Sequence, residues 1–360
     1  MPLPRTRPIS SFHQLPKVDL HRHLEGSLRL ATLLELAQHG RIPLPPDGDV
    51  LRSHVQVCPG EPVSSEHFLH KFKAVRAVFT APDIIQRLTR EAIADAAADH
   101  IIHLELHFTP AAIAEAQAFE LADVFEWVLA AGREQARASG ISLGLIPSVN
   151  RHESPMIAEQ VADLALHHRD DGVVALSLAG DEARYGGGPF ANAFRKTARA
   201  GLGLTIHAGE WDGAASVRQA IEEFGARRIG HGIRILENPD LVALAREQGV
   251  MFEVCLSSNV ASGVVPDIAT HPLKRMLQQD LLVTLNSDDP TICGTSLSRE
   301  YDLALAGQQA TRDMLWSMLQ LSARRSFLPE EGRKVLLEKL NARPPLRNWE
   351  AEAATLHTSL

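Results

Sequence analysis

Short apolar runs recur along the chain. Each is followed by a loop and then by a longer segment whose apolar residues repeat every three or four positions. The runs that read as strands are 18–23, 101–108, 141–149, 173–179, 202–207, 228–232, 250–256 and 281–286. Several follow a glycine and are rich in Val, Ile and Leu, the pattern of strands buried on both faces of a parallel sheet. Between them, 27–39 carries Leu30, Leu33, Leu34 and Ala37 on one stripe behind Ser27, a candidate N-cap. Segments 83–99, 120–139, 155–169, 214–224 and 239–247 show the same period. Eight strands alternating with helices predict an α/β fold, a (β/α)8 TIM barrel, with an open doubly wound sheet as the competing arrangement. The segment 311–343 reads as C-terminal helices outside the barrel, and the long connection 40–80 as a helical insertion over its mouth. No composition shift or linker divides the chain, so 1–360 reads as one domain.

A barrel places its chemistry at the C-terminal ends of its strands. The first strand ends His21-Arg22-His23, and residues two apart on a strand share a face. Two imidazoles at one depth can chelate a metal, although the spacing is a weak signal by itself. The fifth strand ends His207-Ala208-Gly209-Glu210, the sixth contains Gly230-His231-Gly232, and the eighth runs into Asn286-Ser287-Asp288-Asp289-Pro290. All fall where the barrel reading puts active-site groups. His21, His23, His207 and Asp288 supply a ligand set that suits zinc and leaves a position for water. Glu210, on the turn after its strand, is placed to reach a substrate. His231, flanked by glycines that leave space around its ring, is placed to orient or deprotonate a water. A bound metal lowers the pKa of water toward neutrality, so the expected reaction is hydrolytic attack on an electrophilic carbon, with Glu210 as proton donor. A two-metal site would need a bridging Lys or Glu at the tip of the fourth strand. That strand ends Ser177-Leu178-Ala179-Gly180, so one zinc ion per subunit is expected. The H-x-E and P-C-x-x-C pair of the cytidine-deaminase type is absent from the sequence.

Composition narrows the setting. The formal net charge is −8, which argues against nucleic acid as a partner. Seventeen histidines in 360 residues raise the prior for metal or proton chemistry without locating it. Three cysteines, Cys58, Cys255 and Cys293, form no CxxC pair, which points to a reducing, cytoplasmic setting. The first residues, MPLPRTRPISSF, lack the apolar stretch of a secretory leader, and no run approaches a membrane span. No membrane partner is expected, and the sequence carries no signal for oligomeric state.

These motifs, in this order, resemble the adenosine deaminase family of the amidohydrolase superfamily. The likeness runs through PKVDLHRHLEGSL (16–28), FLHKF (68–72), SLAGDE (177–182), HAGE (207–210), RIGHGIR (228–234), EVCLSSN (253–259) and TLNSDDP (284–290). The resemblance implies zinc-dependent hydrolytic deamination of adenosine, and of 2′-deoxyadenosine, to inosine and ammonia, a step of purine salvage. It implies His21, His23, His207 and Asp288 as zinc ligands, and Glu210 as the group that protonates purine N1. His231 would stabilise and help deprotonate the attacking water, and Asp288 would also bond that water. Asp289 would bind N7, the Gly180 N–H would bind N3, and His23 would lie at the substrate. Phe68, Leu69 and Phe72 would cover it as a lid, with plain core as the other reading of that amphipathic stretch. Glu25 stands where adenosine-specific members carry an Asp that contacts the sugar. His107 stands in place of an expected Arg, and Leu256-Ser257 in place of Pro-Thr. These departures keep a related 6-aminopurine open as substrate, whether adenine, N6-methyl-AMP or aminodeoxyfutalosine.

The remaining histidines have plainer readings. His103, Glu105 and His107 alternate on one strand face and read as packing and mouth polarity rather than a second ligand set. His167-His168 reads as surface, and Arg151-His152 as scaffold at the mouth.

Overall fold

The computed structural model describes residues 10–342. Most of the segment read for a leader, and Arg343 at the end of 311–343, lie outside the described residues. Among the described residues there are eight strands: β1 (Lys17–His23), β2 (Ile101–Phe108), β3 (Ser142–Asn150), β4 (Ala175–Ala179), β5 (Gly203–Ala208), β6 (Arg228–His231), β7 (Met251–Val254) and β8 (Leu282–Leu285). They pair in sequence order and in parallel. Just past β8 the chain turns back onto β1. The Asp288 N–H donates to the His21 carbonyl and the His23 N–H to the Asp288 carbonyl, both at 2.8 Å. The sheet is therefore a (β/α)8 barrel and not an open sheet.

The barrel follows from side-chain alternation. On β1 the alternation is interrupted by a register shift between Asp19 and Arg22, and His21 and His23 both face the barrel interior, His23 level with His107 of β2. Asp19 and Arg22, level with Leu104 and Leu106 of β2, face the helical layer instead, where Asp19 accepts the Ser287 hydroxyl and Arg22 donates to Ser27. That layer contains the helices Leu30–Gln38, Pro82–Ala98, Leu121–Ser139, Pro155–His167, Ala214–Glu222 and Pro239–Glu247, close to the segments expected. Two helices follow at the C-terminal end, Arg312–Arg325 and Glu330–Asn341. Within 40–80 the structure has Gly48–Val55 and Ser65–Arg76.

Three expectations change. Ser27 caps no helix: the helix begins at Leu30 without a side-chain cap, and Ser27 Oγ instead donates to the His23 carbonyl at 2.7 Å and accepts from Arg22 Nε at 3.0 Å. It braces the end of β1. His168 is not at the surface. It stacks on Phe125 and bonds Asp171, while His167 stays exposed. The helices Ala191–Arg199 and Leu297–Gly307 were not foreseen. The first buries only Ala191, Ala193, Phe194 and Thr197, too few to stand out as a stripe.

The floor of the barrel is ionic. Arg228 pairs through Nε with Glu253 and through Nη1 with Glu105 at 2.6 Å, and Nη2 donates to the Leu20 carbonyl at 3.1 Å. Phe327 closes the bottom, its ring 3.8 Å under the Arg228 guanidinium. A Cβ on Gly203 would lie 2.3 Å from that ring, so the plug requires glycine there.

Candidate active site

At the top of the barrel, the Nε2 atoms of three histidines converge. His21 lies 3.0 Å from His207, and His23 lies 3.3 Å from each of them. Asp288 Oδ1 is 3.5 Å from His21 Nε2 and 3.3 Å from His23 Nε2. All four side chains are buried. Lone pairs aimed at one another are repulsive, and three N–H groups aimed at one another are no better; a cation among them satisfies all four. Ligands held about 2.1 Å from one ion at tetrahedral corners sit about 3.4 Å apart, close to these spacings. The outer nitrogens are occupied, His21 Nδ1 by Glu253 Oε2 at 2.8 Å and His207 Nδ1 by the Leu178 carbonyl at 3.0 Å. Such contacts direct the Nε2 lone pair inward. Burial lowers His23 to about 3, and burial with the charges of neighbouring imidazoles holds His207 well below its ordinary value. Both are thus neutral, the form that binds metal. The four residues fit one divalent cation.

Two backbone positions here are strained. His231 and Asp288 have φ of 59° and 56°, in the left-handed region that side chains other than glycine rarely adopt. Each sits at a strand end, where this turn brings the side chain over the ligand cluster. The glycines beside His231 serve neighbours rather than its own ring: a Cβ on Gly230 would lie 2.8 Å from the His21 ring, and one on Gly232 2.3 Å from Phe252.

Glu210 follows β5. Its Oε2 is 3.5 Å from His231 Nε2 and its Oε1 is 3.4 Å from Asn259 Nδ2. The loop is pinned by Glu182, whose carboxylate accepts the backbone N–H groups of Gly209 (2.6 Å), Glu210 (3.0 Å), Trp211 (2.8 Å) and Asp212 (3.1 Å). Burial and the charges of Asp288 and Glu182 push the Glu210 carboxyl well above its ordinary range. Burial also opposes ionisation of Asp288, but the His21 hydrogen bond and the nearby imidazoles hold it well below its range. The two carboxyls are driven in opposite directions, one toward its protonated form and the other toward its ionised form, the division that acid and base roles need. Asp289 is raised by burial and by Asp288, and its Oδ1 has no hydrogen-bond partner. A Cβ on Gly26 would sit 1.8 Å from that oxygen, so glycine there makes room for it.

A cavity of about 300 Å³ opens over this cluster. Of the residues singled out from sequence, His23, Phe68, Leu69, Phe72, Gly180, His207, Glu210, His231, Asp288 and Asp289 line it. His21 lies behind the wall, among the converging nitrogens. Glu25 is also behind it: Oε1 accepts the Thr109 N–H at 3.1 Å and Oε2 has no hydrogen-bond partner. The helix Ser65–Arg76 lays Phe68, Phe72 and Arg76 along the cavity at helical spacing. Arg151 acts as scaffold, donating to the His207 carbonyl at 2.7 Å, whereas His152 lines the cavity. His103 bonds Ser142, as packing predicts, but His107 packs against His21 and His23 with ring centroids 4.8 and 4.9 Å away and no hydrogen bond at either nitrogen. Sequence reasoning assigned no role to Glu182, Glu253, Asn259, His271 or Arg76. A signal existed for Glu253, a charge between Phe252 and Val254 in a buried strand.

Comparison with known proteins places this geometry. A family model described as adenosine deaminase matches residues 16–343. An adenosine deaminase of Escherichia coli O81 is 36% identical over 330 residues, covering 91% of this chain and 98% of that protein. Among solved structures, an adenine deaminase from Arthrobacter aurescens superposes with a TM-score of 0.84 at 28% identity, covering 91% of this chain and 98% of the other. An amidohydrolase from Burkholderia ambifaria with bound Zn also superposes at 0.84, with 27% identity and coverage of 97% and 94%.

Proposed function

The chain belongs to the adenosine deaminase family, hydrolases of C–N bonds in cyclic amidines, and from that premise we propose that it deaminates adenosine, and 2′-deoxyadenosine, to inosine and ammonia. The observation that carries this is the juxtaposition at the cavity floor of Glu210, pushed by burial toward its protonated form, Asp288, held toward its ionised form, and a ligand set for one divalent cation. Zinc is the metal proposed, one ion per subunit. His21, His23, His207 and Asp288 would hold it, and the bound ion would make water a stronger acid.

The chain's own groups do the rest. Glu210 gives its proton to N1, which draws electrons from C6 and makes it electrophilic. His231 and Asp288 hold the attacking water and assist its deprotonation. Asp289, its Oδ1 free, bonds N7, and the Gly180 N–H bonds N3. Phe68, Leu69 and Phe72 close over the base and exclude water, so the helical segment within 40–80 acts as a lid on a single barrel domain. Glu25, behind the cavity wall, reaches the sugar only indirectly. That position favours a second reading in which another 6-aminopurine is preferred. The three cysteines are free thiols, as a cytoplasmic setting would keep them.

The test is turnover of zinc-loaded enzyme followed by the ultraviolet change as adenosine becomes inosine, with adenine, N6-methyl-AMP and aminodeoxyfutalosine alongside. The expected result is the highest kcat/KM on adenosine. Higher kcat/KM on another member would select the second reading, and no turnover of any by metal-replete protein would refute both.

A further inference from the structure

We infer that Asn259 and His271 are positioning residues that lock His231 in the tautomer with its proton on Nε2, so that His231 meets the attacking water as a hydrogen-bond donor and Asp288 alone accepts the water's proton. The identity of the reacting position rests on the function proposed above. The tautomer follows from a hydrogen-bond chain that stands by itself.

The chain starts at a group whose proton is not in question. The backbone N–H of Leu273 points at His271 Nδ1, 3.1 Å away, so that nitrogen accepts. Burial lowers His271 to about 3, which leaves the ring neutral with its single proton on Nε2. That Nε2 lies 3.1 Å from Asn259 Oδ1, so an N–H meets the amide oxygen. The orientation of the Asn259 amide is thereby fixed. A flipped amide would set its NH2 against the His271 N–H, donor against donor. The Asn259 NH2 then faces the site, 3.1 Å from His231 Nδ1 and 3.4 Å from Glu210 Oε1, and each of its hydrogens has an acceptor. His231 Nδ1 accepts, and the neutral ring carries its proton on Nε2. That atom is 3.5 Å from Glu210 Oε2 and 3.8 Å from Asp288 Oδ2. Asn259, His271 and His231 are all buried, so water does not compete for these bonds.

The consequence is a division of labour. A ring that presents N–H cannot take a proton from water at the same atom. It stabilises negative charge on the oxygen as the bond to C6 forms. The water O–H breaks and its proton passes to the Asp288 carboxylate. The C6–O bond forms, the C6=N1 electron pair moves onto N1, and N1 takes the proton of Glu210. On collapse, the amino group takes the proton from Asp288 and leaves as ammonia, and the hydroxyl proton of the adduct returns to Glu210. His231 ends each cycle with the proton it began with.

The experiment is nitrogen NMR on metal-loaded enzyme labelled with 15N-histidine, paired with steady-state kinetics. In the native protein, His231 should show a protonated Nε2 and a bare Nδ1. In Asn259→Asp, a carboxylate of the same shape accepts from both rings. The His231 proton should move to Nδ1, and kcat should fall roughly 10²–10³-fold with KM little changed. His271→Leu, which lets the amide turn, should give mixed tautomers and an intermediate loss. His271→Gln, which keeps a donor, should retain most of kcat. A native His231 protonated on Nδ1 would overturn the inference. So would an Asn259→Asp enzyme whose tautomer shifts while kcat stays within about threefold of native. Should native enzyme turn over no 6-aminopurine, the functional reading fails, and the NMR still decides the tautomer.

Discussion

Two charged clusters lie one above the other inside the same barrel, and they are built on opposite principles. In the lower one, Arg228 stands between Glu105 and Glu253, so each charge has an opposite charge in contact. In the upper one, three imidazole nitrogens face one another and a carboxylate, and two residues hold left-handed backbone. Glu253 belongs to both: Oε1 takes Arg228, while Oε2 takes His21 Nδ1 at 2.8 Å and the Thr205 hydroxyl at 2.8 Å. The difference teaches how to tell a structural cluster from a chemical one. A structural cluster is complete within the chain. A chemical cluster is left incomplete at the point where something else must bind.

Removing a group from each cluster should therefore have different consequences. Glu210→Gln takes the proposed proton donor from the upper cluster, and kcat should fall roughly 10²–10⁴-fold. Its melting temperature should hold or rise, because a buried carboxyl among like charges is lost. Arg228→Met strands Glu105 and Glu253 in the interior and should cost about 3–5 kcal/mol in urea denaturation. If both variants lost stability equally, the contrast would be broken. Glu182→Gln lies between these cases: the loop stays covered, but an amide NH2 replaces either the oxygen that takes the Gly209 N–H or the one that takes the other three. We expect kcat/KM to drop about 10–100-fold with stability little changed, read by parallel kinetics and calorimetry.

The smallest effect belongs to a third cluster, at the rim. Burial works against ionisation of Glu61, yet Lys71 at 2.8 Å and His67 at 2.9 Å hold its carboxyl at about 2. A carboxyl lowered on folding stabilises above its unfolded value, near 4.5, and loses that contribution as pH falls toward 2. Denaturation of native protein and Glu61→Gln should differ by about 1 kcal/mol at pH 6 and converge by pH 2. A difference independent of pH would show that Glu61 acts through packing.

Much of the upper cluster was legible because its parts lie at strand ends, and strand ends can be read from apolar runs. His21 and His23 share a face by strand period alone, and the turns after β5 and β8 follow those runs directly. The supports were not legible. Glu182 acts on backbone N–H groups across a loop, Asn259 and His271 meet through side-chain orientation, and neither relation leaves a spacing in the sequence. The same limit explains Ser27, which has the composition of a cap but a better partner in the His23 carbonyl. It also explains the glycines beside His231, whose missing side chains make room for His21 and Phe252, one on β1 and the other on β7.

The backbone of Asp288 has a consequence for how the chain matures. The residue that completes the proposed ligand set also stitches the last strand to the first, with one hydrogen bond in each direction. Contacts between distant parts of a chain carry the greatest loop-closure cost and tend to form late. No intermediate lacking that closure holds all four ligands together, so tight metal capture reports a finished barrel. In a cell this would shield nascent chains from trapping ions prematurely. In refolding, recovery of metal affinity should trail recovery of helical signal.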